Sequence, residues 1–262
     1  MLAERPLSQY VMNSAYRTLQ VLLSFSAPPH RFSLAEVTAR MELEKNQVYR
    51  SLKTLEEAGF LRVEGDGRFA LTAILSVLNA ASANGQQVSL VDVAGPHMDR
   101  LLTQTQESLN LFVLAGDSAV CVDRRDSPQL VRLNSVLGLS VPLHAGACPK
   151  AILAYLPQAE QERVLARLDT YPRYTDKTVM QAQVLRLELL RIRERGYSTS
   201  DEDVDASARG VGAPIFDHSG SVVGGISLGG PSFRVDDATL EHFGELIVQG
   251  ARAISRQLGY PG

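Results

Sequence analysis

Residues Ser33 to Leu71, SLAEVTARMELEKNQVYRSLKTLEEAGFLRVEGDGRFAL, constrain the fold more than any other stretch of this chain. Ser33 followed three residues later by Glu36 forms a capping box, in which hydroxyl and carboxylate each close a free backbone donor at a helix start. The spacing predicts a helix from about Leu34. After a tight connection at Met41 to Leu43, a second helix is expected from Glu44 to Ala58, stopped by Gly59, which suits the left-handed conformation past a helix end. Two helices so joined make a helix-turn-helix.

The second helix carries two chemically different faces at about 100° per residue. Val48, Leu52 and Leu55 can seat it on a core. Asn46, Arg50 and Lys53 lie opposite, with Gln47 and Tyr49 on the flanks and Lys45 at the start. This outer set combines amides that match adenine, a bidentate donor for guanine and point charges for phosphate. Phe60 to Glu64 and Arg68 to Leu71 flank Gly65-Asp66-Gly67, and Asp-Gly is a strong hairpin signal. Arg62 and Arg68 would then ride on a two-stranded wing. Ser33, at the entry of the first helix, completes the candidate DNA contacts. The competing reading is a solvated charged face on a small helical subdomain.

Formal net charge is −3 over 262 residues, which by itself argues against nucleic acid. Residues 1–72 hold nine Lys or Arg against eight Asp or Glu, so they carry +1 and the remainder −4. DNA affinity must therefore come from local placement of charge. Met1 to Pro6 carries Glu4 and Arg5 with no apolar run behind it, and no stretch approaches the length of a membrane span, so a cytoplasmic protein is expected. Cys121 and Cys148 offer neither a disulfide framework nor paired metal-ligand spacing, and no metal or cofactor is expected.

Ser14 to Ser26 places Ala15, Leu19, Leu22 and Leu23 on one helical face, predicting a scaffold helix ended by Pro28-Pro29. Residues 1–72 read as one domain. Residues 73–88, with Ile74, Leu75, Val77 and Leu78 before Asn84-Gly85, read as a linker helix, and residues 89–262 as a second domain. In the latter a helix is expected at Leu90 to Ser108. Strands follow at Leu109 to Ala115, Ala119 to Asp123 and Leu130 to Leu133, then helices at Pro149 to Tyr155, Gln158 to Leu168 and Met180 to Arg195. Strands at Val211 to Phe216 and Val222 to Leu228 precede a terminal helix from Asp236 to Leu258. Clustered strands and helices, without strict alternation, predict an antiparallel α+β sheet and disfavour a doubly wound nucleotide fold.

Gly225-Ile226-Ser227-Leu228-Gly229 has the letters of a nucleophile elbow, but no helix begins at once behind it, so Ser227 reads as a residue inside a strand. Gly210-Val211-Gly212 lacks the third glycine of a dinucleotide loop. His144-Ala145-Gly146-Ala147-Cys148-Pro149-Lys150 puts an imidazole and a thiol at a helix start with proline at its first position. A catalytic cysteine needs an oriented base, and no third group is evident. Free amides at a helix start also suit an anion, against the plainer alternative of a capped helix holding no ligand.

With these elements in order, the chain resembles the IclR family of bacterial transcriptional regulators from about Met12 to Leu258. The resemblance is carried by VPLHAGACPKAILAYL at Val141 to Leu156, IRERGYSTSDED at Ile192 to Asp203, and GVGAPIFDHSGSVVGGISLGGP at Gly210 to Pro231. It implies a multidomain α+β protein: an N-terminal winged helix-turn-helix on double-stranded operator DNA, and a C-terminal GAF-like α/β domain that binds a small effector and carries oligomer contacts. Members form dimers or tetramers, repress or activate, and respond to small organic acids or aromatic compounds of catabolism. By position, the family's effector site falls on Ala147 and Cys148, on Asp201 and Glu202, and on Gly210, Ser227 and Gly229, with Leu130, Leu133 and Val141 as an apolar wall. Gly229 stands where some members carry a second hydroxyl, and Glu42 where the turn usually has glycine. The expected function is thus a ligand-responsive transcriptional regulator and not an enzyme. The rivals are a hydrolase or cysteine enzyme using Ser227 or Cys148, and a module whose winged helix binds a protein.

Overall fold

The computed structural model describes residues 10–26, 29–41, 43–75, 78 and 89–262. The chain divides into two compact units, Met1–Gln87 and Val88–Gly262. Most of the expected linker helix, and Glu42 in the turn, lie outside the described residues.

In the first unit, α1 (Asn13–Leu23) runs into a 3-10 turn and is followed by β1 (Arg31–Phe32), α2 (Leu34–Arg40), α3 (Lys45–Glu57), β2 (Leu61–Val63) and β3 (Phe69–Leu71). The strands form a small antiparallel sheet in the order β1-β3-β2, and β2 and β3 are the wing hairpin. Ser33 and Glu36 form the full capping box on α2. Helix α3 ends with the Phe60 amide donating to the Leu55 carbonyl at 2.9 Å while Gly59 takes a φ of 79°. Val21, Phe25, Phe32, Val37, Val48, Leu52, Leu55 and Leu61 make the core.

The buried face of α1 differs from the one expected. Leu19 and Leu23 are 56% and 54% exposed and Ala15 is also outside, whereas Val21 and, in the following turn, Phe25 are fully buried. The stripe Thr18, Val21, Phe25 faces α3, where the Thr18 and Ser51 hydroxyls meet at 3.1 Å. Of the four residues expected inside, Leu22 alone packs partly against the core, and the leucine count otherwise picked the wrong side of a helix apolar on two.

The second unit has α4 (Leu90–Thr105), β4 (Ser108–Ala115), β5 (Ser118–Arg125), β6 (Ser140–Pro142), α5 (Ala147–Tyr155), α6 (Gln158–Leu165), α7 (Ala182–Arg195), β7 (Ser198–Asp201), β8 (Ala208–Phe216), β9 (Val222–Pro231) and α8 (Asp237–Gln257). Its six strands pair antiparallel in the order β6-β5-β4-β9-β8-β7. Alternation along the strands divides the core in two. Leu109, Leu111, Val211, Ala213, Ile226 and Leu228 pack with α4 and α8 on one face. Phe112, Ala119, Cys121 and Val141 pack with α5 and α7 on the other.

No strand forms at Leu130 to Leu133. From Asp126 to Leu139 the chain is extended but irregular, with Leu133, Ser135, Leu137 and Leu139 turned partly inward and Leu130 95% exposed. The outer edge of β5 is taken instead by β6 and by the Leu139 carbonyl, which accepts from the Cys121 amide at 2.9 Å. The short edge strands β6 and β7 were not anticipated.

Candidate functional site

Helix α3 is fastened by Val48, Ser51, Leu52 and Leu55, which leaves Lys45, Asn46, Gln47, Tyr49, Arg50 and Lys53 exposed on one polar surface. Lys53 is paired with Glu56 one turn on. Ser33 is committed to the cap, its hydroxyl 2.9 Å from Glu36 Oε2. That same oxygen accepts from Arg68 of the wing at 2.8 Å, so Arg68 ties the hairpin to the start of α2. Hydrogen bonds from the Ser33 backbone and hydroxyl, with help from Arg68, hold the Glu36 carboxyl below its usual range. Arg62 stands further out on the wing, 3.1 Å from Glu64.

In the second unit the strand register assembles one transverse row on the α5 face of the sheet. Arg124 pairs with Asn110, Asn110 with Ser227, Ser227 with Gly212 and Gly212 with Ser198. Directly paired residues project to the same face. Asn110, Arg124 and Ser227 are each only partly buried, a polar interruption in a floor whose neighbours Phe112, Cys121 and Val141 are buried. Gly212 explains how α5 meets this floor: a Cβ there would stand 2.5 Å from the Cys148 nitrogen and 2.6 Å from the Ala147 carbonyl carbon. The helix start therefore rests directly on the strand, with Gly146 at a φ of 84° turning the chain into it. The first-turn amides of Ala147 and Cys148 have no acceptor within their own helix.

The acidic loop meets this helix start through a residue that the sequence reading passed over. Asp201 pairs with Arg209 at 2.8 Å and faces away from α5, because β7 turns Ser198 and Ser200 toward it. Glu202 takes a φ of 60° and pairs outward with Lys177 at 2.8 Å. This turn sends Asp203 back under the helix, where its Oδ2 accepts the Gly146 amide at 3.2 Å and meets Lys150 Nζ at 2.7 Å. Glu188 completes the cluster at 2.7 Å from Lys150. Burial alone would lower the Lys150 pKa, but Asp203 and Glu188 outweigh it and raise it. The buried carboxylate at the helix start is thus the protein's own.

Gly210 and Gly229 face each other across β8 and β9, and a Cβ on either would come within 2.7 Å of a neighbouring carbonyl oxygen, so these glycines serve strand pairing. Val141 belongs to the apolar layer under α5, while Leu133 lends its carbonyl to the Ser108 hydroxyl at 3.2 Å. Leu130 points into solvent and forms no wall in this chain. Cys148 is fully buried with its sulfur over Gly225, and burial pushes its thiol well above the usual range. Burial raises Cys121 to about 11. Neither is set up as a nucleophile. His144 stacks on Tyr171 at 5.1 Å, donates through Nε2 to the Pro172 carbonyl at 3.1 Å, and has its pKa lowered by burial.

A winged helix with a free polar recognition face, and a separate sheet domain whose floor carries a half-open polar row, define a DNA-binding regulator with its own sensing domain. Residues 14–65 match the IclR helix-turn-helix domain and residues 83–256 the bacterial transcriptional regulator IclR C-terminal domain. The chain is 31% identical over 228 residues to the HTH-type transcriptional regulator KdgR of Escherichia coli, covering 87% of this chain and 86% of that one. It is 30% identical over 256 residues to the transcriptional repressor AllR of Salmonella typhi, covering 97% and 93%. The IclR crystal structure from Thermotoga maritima superposes with a TM-score of 0.70 at 28% identity, over 95% of this chain and all of that one. This chain belongs to the IclR family: it is a ligand-responsive, DNA-binding transcriptional regulator, of a family of regulators and not of enzymes. No helix among the described residues is long and apolar enough to cross a membrane.

Proposed function

We propose that α3 reads operator DNA through Asn46, Gln47, Tyr49 and Arg50, with Lys45 and Lys53 on phosphates and Arg62 of the wing on the backbone. The observation that carries this reading is the polar face of α3 standing clear of a helix seated by Val48, Leu52 and Leu55. Ser33 and Arg68 act by holding α2 and the wing in register. The protein works in the cytoplasm as a homo-oligomer, since one winged helix reads too few base pairs for useful selectivity. Exposed Met12, Tyr16, Leu19 and Leu23, at i, i+4, i+7 and i+11 of α1 and its cap, support a contact between copies.

The effector is a small organic acid or aromatic compound of a catabolic pathway, held between the Asn110–Ser227 row and the first turn of α5. A structural neighbour from Microbacterium hydrocarbonoxydans, 23% identical with a TM-score of 0.69, was solved in complex with 4-hydroxybenzoate. Footprinting with DNA tiled across the gene's own flanks tests the DNA reading. Two protected half-sites about one helical turn apart, or a multiple of that, are expected. Binding without sequence preference, or one half-site held by a monomer, overturns it.

A further inference from the structure

Resting on that effector site, we infer that Arg124 is its specificity-determining cation, and that an anionic group on the ligand takes the guanidinium away from the segment 126–139. The register puts Arg124 in the same row as Asn110 and Ser227, on the face that α5 covers. Arg125, its neighbour, faces the other side, ion-paired to Asp123 at 2.8 Å and to Asp99. Arg124 is thus the cation that β5 presents to the polar row.

Its present partners are weak for a guanidinium. Nη1 donates to the Ser135 carbonyl and, at 3.3 Å, to the Asn134 side chain, while Nη2 meets the half-exposed Asp126 at 3.2 Å. Two neutral oxygens occupy an arm that a carboxylate would bind about twice as strongly. Asn110 pairs with Arg124 across β4 and β5, and Ser227 stands one strand further along the row. Among the described residues neither side chain makes a hydrogen bond, leaving both able to take a second ligand oxygen.

Exchanging partners has a consequence for the segment. The segment is fixed at its ends, where the Ser127 hydroxyl donates to the Gln106 carbonyl at 2.6 Å and Cys121 bonds Leu139 at 2.9 Å and Gly138 at 2.8 Å. Its middle, 130–136, is tied to the sheet domain, among the described residues, by Arg124 on Asn134 and Ser135, by the Ser108 hydroxyl on the Leu133 carbonyl at 3.2 Å, and by Arg234 on the Val131 carbonyl at 3.0 Å. Arg234 is itself anchored by buried Glu107. Leu130, Val131 and Val136 meanwhile stand 95%, 55% and 53% exposed and Leu133 turns only partly inward, so the stretch 130–136 has little apolar burial of its own, in contrast to Leu137 and Leu139, which pack on the core. Withdrawing the Arg124 contact loosens Ser135 and its neighbours, and the ligand shifts the segment through a contact it makes in only one of the two arrangements.

The test uses full-length protein, with benzoate and pyruvate as charged probes and benzamide and pyruvamide as their neutral counterparts. Calorimetry is paired with hydrogen–deuterium exchange. The wild type is expected to bind at least one acid about tenfold or more tighter than its amide, with faster exchange across 130–136 on binding. Arg124→Gln should lose that preference, keep amide binding, and exchange fast at 130–136 without ligand. Arg124→Lys, which keeps charge and fold, should fall between. Equal loss of acid and amide in Arg124→Gln, wild-type acid affinity in that variant, no acid binding by the wild type, or unchanged exchange each overturns the assignment. Ser227→Val separates the two readings: unaffected acid binding there removes the effector-site reading, whereas lost binding there with intact binding in Arg124→Gln removes only the role of Arg124.

Discussion

Lys150 Nζ lies 2.7 Å from Asp203 Oδ2, the oxygen that also takes the Gly146 amide, so one buried carboxylate joins the start of α5 to its second turn and to the loop after β7. Lys150→Met would strand Asp203 and Glu188 without a cation. Removing one partner of a buried pair costs about 3–5 kcal/mol. Urea unfolding should report a loss of that order, and a loss below about 1 kcal/mol would mean that the cluster is solvated in solution.

Arg50 and Lys53 should separate in DNA binding. Arginine can grip guanine with two donors, whereas lysine acts as a point charge. Arg50→Ala is expected to cost about 1–3 kcal/mol on the operator and to relax sequence preference. Lys53→Ala should weaken all duplexes alike and reduce the salt dependence. Anisotropy titrations at several salt concentrations decide it, and native affinity in both variants would remove α3 as the reading helix.

Cys148 enters the candidate effector site through its backbone. Cys148→Ala should leave effector response almost intact, whereas Ser227→Val should cost about 1–3 kcal/mol of ligand affinity by leaving a buried oxygen unpaired. Both cysteines of the folded protein should resist a thiol-reactive disulfide reagent at pH 8, since burial keeps them protonated. Rapid labelling of Cys148 in native protein would contradict this geometry and revive the cysteine-enzyme reading.

His144 gives the fold a dependence on mild acid. Its folded pKa lies below the ordinary histidine value because burial disfavours the imidazolium, so between the two values the unfolded chain binds more protons. Stability is therefore full above about pH 6.5 and declines as pH falls toward the folded pKa. Melting temperature should drop from pH 7 to pH 5.5, and His144→Gln should show a flatter slope across that window whatever its absolute stability. Parallel slopes would assign the effect to other groups.

Much of this was legible in the sequence, for reasons that differ from element to element. Ser33 and Glu36 announce α2 because their bonds are local, and Gly59 and Gly196 mark helix ends because few other residues tolerate their backbone. Strand β7, reading Ser-Thr-Ser-Asp, carries no apolar alternation and exists only because β8 offers an edge. Leu130 to Leu133 read as a strand because of their apolar letters, yet inward alternation starts only at Leu133 and runs to Leu139, and the edge of β5 was already occupied. Asp203 escaped notice since its position depends on the positive φ of Glu202, which the letters alone do not disclose. Arg124 was missed because facing requires register, and register is a property of three strands at once.

Gly212 has a mechanical meaning. With the Cys148 nitrogen seated where any side chain at 212 would begin, floor and helix start are in bare backbone contact, which leaves no room for a ligand between them at that point. With the effector site proposed above, a signal would have to run laterally, through the segments that border the row, past a fixed contact at residue 212.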